Sequence, residues 1–232
     1  MRAVDQAPNR LEAYFRANPG RRINKWPHYF PIYDRHFSVY RGRAVHVMEF
    51  GVGQGGSLQM WRDYFGPAAR VTGVDIDPRC AGLTGDRISV VTGDQEDREF
   101  LRGLTAVAGQ PDVVIDDGGH HMGQQIATLE EMWPQLRDGG VFLTEDVHTS
   151  YGDRYGGGCR RPGTFVEYAK DLIDRVNAWH SEDMAALEPD AWTRSVAGMH
   201  VYDSVIVLDK DQVGRPAPPE VTGASDAERA SG

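Results

Sequence analysis

From Val45 onward, apolar and polar positions alternate in a way that predicts strands and helices in turn. Val45 to Phe50, Arg70 to Ile76, Ile88 to Thr92, Asp112 to Asp116 and Val141 to Thr144 are short runs rich in β-branched residues, the signature of strands covered on both faces. Between them, Leu58 to Phe65, Asp97 to Val107 and Met122 to Leu136 place apolar residues at helical spacing, with Ile126, Leu129 and Trp133 turned inward in the last. Thr164 to His180 reads as a longer helix, and Met199 to Tyr202 and Ser204 to Leu208 as a closing sheet edge. Strands alternating with helices predict a parallel sheet with covered faces. The expected fold class is therefore α/β: a Rossmann-like, seven-stranded, mostly parallel sheet with helices on both faces and one antiparallel edge strand.

The flanks differ. Residues 1–24 are polar apart from an amphipathic stretch at Leu11 to Phe15, read as a short helix ending near Asn18-Pro19-Gly20. Residues 25–40 are dense in aromatics, and Tyr29, Ile32, Tyr33, His36, Phe37 and Tyr40 recur at helical spacing. That pattern fits a helix packed on the core and equally a lid over a ligand. Ser150 to Gly163 is a Gly-, Tyr- and Arg-rich loop of a length common in lids, and from Gly214 the composition predicts a disordered tail. The expected division is a helical lid or cap at 1–40, one catalytic domain at 41–213 and the tail at 214–232.

Composition narrows the class. The 232 residues, 40% of them hydrophobic, suit one α/β domain with extra elements. No apolar run approaches a membrane span, and no apolar leader stands at the N-terminus. With only Cys80 and Cys159, no disulfide framework is implied and a cytoplasmic location is expected. A net charge of −9 argues against a nucleic-acid partner. A homo-oligomer is compatible with this pattern.

Chemistry gathers where the strands end, which is where open α/β sheets bind ligands. Asp112 to His121 runs from a buried strand into Asp116-Asp117-Gly118-Gly119-His120-His121. Carboxylates and imidazoles at the edge of a core need partners or shifted pKa values. Glu49-Phe50-Gly51-Val52-Gly53-Gln54-Gly55-Gly56-Ser57 contains a glycine pattern that alone would also suit a dinucleotide. Glu49, two positions before the first glycine, would repel a pyrophosphate and attract an amino group, which favours S-adenosylmethionine over NAD. Asp75 ends the second strand where it can accept from ribose hydroxyls. Asp94 and Gln95 end the third, where they can meet an adenine edge or cap the following helix. Ser57 and Asp116 join this cofactor-facing set. Asp117 after the fourth strand and Glu145-Asp146 after the fifth can converge, because parallel neighbours lie about 4.8 Å apart. Three hard oxygen ligands suit Mg²⁺, and His120 stands beside Asp117 as a candidate base. His121 and His148 are candidate supporting groups without an assigned role.

Glu-Phe-Gly-Val-Gly-Gln-Gly-Gly-Ser, Val-Asp-Ile-Asp-Pro, Gly-Asp-Gln, Ile-Asp-Asp-Gly-Gly-His and Thr-Glu-Asp-Val-His-Thr-Ser-Tyr together resemble a class I methyltransferase. They are more closely similar to the metal-dependent sugar O-methyltransferases of natural-product pathways, the mycinamicin and macrocin type and the rhamnose O-methyltransferases of glycosylated polyketides. The resemblance covers roughly Lys25 to Lys210. It implies Glu49, Gly51 and Gly53 at the methionine end of the cofactor, Asp75 at the ribose and Asp94 and Gln95 at the adenine. It further implies Mg²⁺ on Asp117, Glu145 and Asp146, His120 as general base, and a deoxysugar of rhamnose type on a glycosylated small molecule as acceptor. This chain does not show the large N-terminal auxiliary domain of some mycinamicin-type members, and its size is closer to the rhamnose-modifying ones. Two other activities fit parts of the pattern: a catechol-type O-methyltransferase, and, less well because of Glu49, an NAD-dependent sugar dehydrogenase or epimerase. A non-catalytic cofactor-binding protein is the remaining reading, opposed by the intact set Asp117, His120, Glu145 and Asp146.

Overall fold

In the computed structural model, residues 9–18 and 20–217 are described; the expected tail from 218 onward lies outside them. Seven strands form one sheet: β1 (His46–Phe50), β2 (Arg70–Asp75), β3 (Ile88–Thr92), β4 (Val113–Asp116), β5 (Val141–Thr144), β6 (Val196–Tyr202) and β7 (Val205–Lys210), in the order β3-β2-β1-β4-β5-β7-β6. The first five are parallel, and β7 runs antiparallel between β5 and β6. The antiparallel strand is thus internal rather than at the edge, because the tight β6–β7 hairpin at Asp203-Ser204 returns the chain between its neighbours.

Among the described residues six α-helices accompany the sheet: α1 (Arg10–Ala17), α2 (Phe30–Phe37), α3 (Gly56–Phe65), α4 (Arg98–Ala108), α5 (Met122–Met132) and α6 (Phe165–Val176). Asn9 caps α1 by accepting from the Glu12 amide, and Asp97 caps α4 by accepting from the Glu99 and Phe100 amides, so both begin where a side-chain acceptor meets otherwise unpaired amides. The expected helix at 164–180 is shorter. It stops at Val176, and Ala178–His180 form a separate 3₁₀ turn. The 150–163 loop also has structure, with 3₁₀ turns at Val147–Tyr151 and Asp153–Tyr155.

Strand alternation divides the core. Val47, Val113, Ile115, Leu143, Val205 and Val207 pack with α1, α2 and α3 on one face. Met48, Phe50, Val114, Phe142, Ile206 and Leu208 pack with α4, α5 and α6 on the other. The aromatic run is therefore core: Tyr29, Phe30, Tyr33 and Phe37 are buried, and Tyr33 and Phe37 meet Trp61 of α3 edge-on, with ring centroids 5.0 and 5.9 Å apart. Such packing commits the N-terminal helices to the domain body. Only the connection between them, residues 22–26 with Tyr29, reaches the ligand-binding edge.

Candidate active site

The alternation that builds the core also builds the site. Glu49 pairs in register with Ile115, and Ile115 with Leu143. Two residues further along β4 and β5, Asp117 and Glu145 lie on the same face as Glu49, since side chains repeat every second residue. Three carboxylates therefore converge under α2 and α3. Lys25, from the connection before α2, places its ammonium among them: Nζ lies 2.6 Å from Asp117 Oδ2, 2.9 and 3.0 Å from the two Glu145 oxygens and 3.4 Å from Glu49 Oε1. Its side chain is 1% exposed, and it also faces the rings of Trp61 and Tyr33 at 5.7 and 5.9 Å.

Charge in this pocket is unevenly balanced. Burial works against the Lys25 ammonium, but Asp117, Glu145 and Glu49 outweigh it and hold the lysine protonated well above the usual range. Three carboxylates share that one cation. Burial raises the pKa of Glu145 strongly, and that of Asp117 and Glu49 as well, with Lys25 only partly opposing. Asp116 faces the opposite side of the sheet, where burial pushes it up to about 6 despite a hydrogen bond from Gln95.

Asp146 would continue into the core if the strand ran on. Its backbone instead turns to φ 53°, a left-handed conformation that is uncommon for a residue other than glycine, and the carboxylate swings to the cavity side. Tyr29 Oη donates to Asp146 Oδ1 at 2.5 Å. His120, also left-handed at φ 59°, brings Nε2 to 3.4 Å from Asp146 Oδ2. Ligand atoms of Asp117, His120 and Asp146 lie within 4.8 Å of one another. Thr149 Oγ1 donates to the His120 carbonyl at 3.1 Å and so ties the β4 and β5 loops together. Strained backbone at two adjacent strand ends is the kind of feature that accumulates at functional sites.

These groups edge a cavity of about 490 Å³ at the carboxyl ends of the strands, a volume suited to a nucleoside-sized ligand. Gly51, Gly53, Ser57, Asp75, Asp94, Gln95, Asp117, His120, Glu145 and Asp146 line it together. Asp75 is fixed from below: it accepts from the amides of Val52 and Gly53 at 2.8 and 3.0 Å, and from that of Asp77 at 2.9 Å. Gln95 Nε2 is held by Asp116 and Thr128, and its Oε1 accepts from the Gly119 amide. Two glycines form a cradle. A Cβ on Gly51 would sit 2.0 Å from the Asp117 carbonyl oxygen, and one on Gly118 would sit 1.7 Å from Gln95 Oε1. At Gly53, φ +53°, nothing stands within 4 Å of that position, leaving backbone open to close approach by a ligand.

Two of the expected cofactor-facing residues lie deeper than the rest. Glu49 is fully buried and absent from the cavity wall; its oxygens are taken by Ser57 Oγ at 2.6 Å, Trp61 Nε1 at 2.9 Å and Lys25. It thus meets the α3 side chains and the lysine. Asp116 is likewise buried behind Gln95 and positions it. Sequence reasoning missed Lys25 and Tyr29 as site residues. The lone lysine heading an otherwise aromatic stretch was the available signal.

Residues 48–147 match the family described as Methyltransferase domain. These residues form a methyltransferase domain. The chain is 37% identical, over 90% of its length and 56% of the relative, to the 8-demethyl-8-(2-methoxy-alpha-L-rhamnosyl)-tetracenomycin-C 3'-O-methyltransferase of Streptomyces olivaceus. It is 35% identical to the Mycinamicin VI 2''-O-methyltransferase of Micromonospora griseorubida, over 79% of this chain and 48% of that one. The chain spans about half the length of the curated relatives it matches. Among solved structures, the MycE methyltransferase of the mycinamycin pathway, in complex with Mg, SAH and mycinamycin VI, superposes with a TM-score of 0.79 at 31% identity, covering 97% of this chain and 60% of that one. That superposition agrees with the expected fold. No helix among its described residues is long and apolar enough to cross a membrane.

Proposed function

We propose that this chain transfers a methyl group from S-adenosylmethionine to a hydroxyl of a deoxysugar, of rhamnose type, on a glycosylated natural product such as a polyketide, with Mg²⁺ bound beside the cofactor. The observation that carries the reading is the pairing of a glycine-floored cavity with an acidic, cation-deficient cluster at its end. Relatives that modify sugars on macrolides and tetracenomycins support the acceptor class.

The donor set fits the metal. Asp117 and Asp146 present hard oxygen ligands beside His120, and Glu145 stands next to them with its carboxylate on Lys25. Asp117, Glu145 and Asp146 would hold Mg²⁺, which would lower the pKa of a hydroxyl bound to it. The cofactor would lie over Gly51 and Gly53, with Asp75 toward the ribose and Asp94 and Gln95 toward the adenine. His120 Nε2, 3.4 Å from Asp146 Oδ2, would take the acceptor proton, and the Thr149 contact to its carbonyl supports its loop. Trp26, 46% exposed, stacks with His148 at a centroid distance of 5.0 Å beside the cavity, offering an apolar surface for a sugar ring. Holding donor and acceptor in line supplies roughly 7–11 kcal/mol of the barrier reduction in favourable cases.

The test is methyl transfer from labelled S-adenosylmethionine to a panel of rhamnosylated polyketides, their aglycones and catechols. Transfer to the glycosides only, abolished by chelator and restored by Mg²⁺, is expected. Asp117→Ala and Glu145→Ala should lose turnover while still binding S-adenosylhomocysteine. Full turnover in chelator would refute the metal, and transfer to catechols alone would replace the sugar with a catechol acceptor.

A further inference from the structure

We infer that Lys25 is a built-in competitor for the divalent ion: its ammonium occupies Asp117 and Glu145 and thereby sets how tightly this site binds metal. This rests on the proposed metal site and adds to it a residue that nothing in the acidic motif announces. Nζ lies within 3.0 Å of three carboxylate oxygens belonging to Asp117 and Glu145, two of the three proposed ligands. An ammonium with three such contacts is doing for these oxygens what an ion would do. The two cations draw on the same negative charge, so each weakens the other. The Lys25 ammonium also lies over the rings of Trp61 and Tyr33, 5.7 and 5.9 Å from their centroids, a contact that favours a cation at this point.

The lysine also explains how the cluster survives without metal. Carboxylates buried with no counter-charge are strongly unfavourable. Here Lys25 offsets part of that charge, while the surplus that remains, with Asp146 turned to the cavity, still attracts a divalent ion. A lysine in this position gives an ion that binds and leaves, rather than one locked in at folding.

The experiment compares Mn²⁺ binding, by counting free ion in electron paramagnetic resonance, in the natural chain and in Lys25→Met, with S-adenosylhomocysteine binding as the check of an intact fold. Lys25→Met should bind Mn²⁺ at least tenfold more tightly. Equal or weaker Mn²⁺ binding with S-adenosylhomocysteine binding intact would overturn the inference. A second measurement needs no variant. The chain has three lysines, Lys25, Lys170 and Lys210, so ¹⁵N-lysine labelling gives few ammonium resonances. The Lys25 signal should shift during a Mg²⁺ titration with the same midpoint as ion binding, and a Lys25 signal unmoved while the ion binds would refute the competition. Failure of the underlying metal site looks different: neither protein would bind Mn²⁺ or Mg²⁺ at all, and both readings would fall together.

Discussion

Tyr29 hands its hydroxyl hydrogen to Asp146 across 2.5 Å, and with the Lys25–Glu145 contacts this bond fastens the aromatic N-terminal segment to the end of β5. Burial and the Asp146 carboxylate both hold the phenol neutral, far above its usual pKa, so Tyr29 acts as a donor throughout the working range. Tyr29→Phe should leave Asp146 free to rotate. A hydrogen bond to a charged group contributes about 1.5–3 kcal/mol. Part of that loss should appear as a Mg²⁺ half-saturation roughly tenfold higher, read from the metal dependence of methyl transfer, with thermal stability little changed.

His120 is expected to carry the proton. His120→Asn retains a residue that tolerates the left-handed backbone while removing the base. Turnover should fall by about 10²–10⁴, S-adenosylhomocysteine binding should persist, and the acid limb of the pH–rate profile should vanish. An unchanged acid limb would assign the base elsewhere.

The two cradle glycines should fail differently. Gly51→Ala forces a methyl to 2.0 Å from the Asp117 carbonyl at φ +90°, a backbone clash that nothing flexible relieves. It should cost about 3–5 kcal/mol, visible as a melting temperature lower by roughly 10 °C. Gly118→Ala meets only the end of Gln95. Gln95 can be displaced, at the expense of its bonds to Asp116 and Thr128, so the larger effect should be on cofactor affinity, measured by calorimetry.

His46 predicts acid sensitivity away from the site. It is buried at the start of β1, with Nε2 2.9 Å from Thr72 Oγ1, and burial lowers its pKa from 6.5 to about 4. A lowered pKa in a base means that the unfolded chain binds the extra proton first. Stability should therefore fall as pH drops from about 6.5 toward 4, by about 3 kcal/mol over the full window. His46→Gln should flatten that part of the curve in denaturant titrations at stepped pH.

Much of this was legible in the chain because it depends on periodicity. The parallel strands and their polar ends followed from short apolar runs closing on Asp75, Asp94, Asp116-Asp117 and Glu145-Asp146, and all of these ends lie at one sheet edge. The facing of each carboxylate also follows from alternation: Glu49, Asp117 and Glu145 share one face, and Asp116 takes the other. The sequence could not show that Asp146 leaves this alternation, since the cause is one backbone dihedral. Nor could it show that Lys25, 92 residues before Asp117, would reach the cluster, because that contact depends on how α2 settles against Trp61. Nor could it show that Ser57, Trp61 and Lys25 would hold the Glu49 carboxylate.

The close seating of Gly51 on the carbonyl of Asp117 has an outcome for how this site can change. In the proposed reaction the loop after β1 would face the methyl donor, and the loop after β4 would carry the groups that meet the acceptor. With backbone resting on backbone and no side chain between them, the two loops behave as a single rigid part. A substitution that lifts one must lift the other. New acceptors would then have to be accommodated from the outer rim, around Trp26 and His148, while the spacing across which the methyl group passes stays fixed.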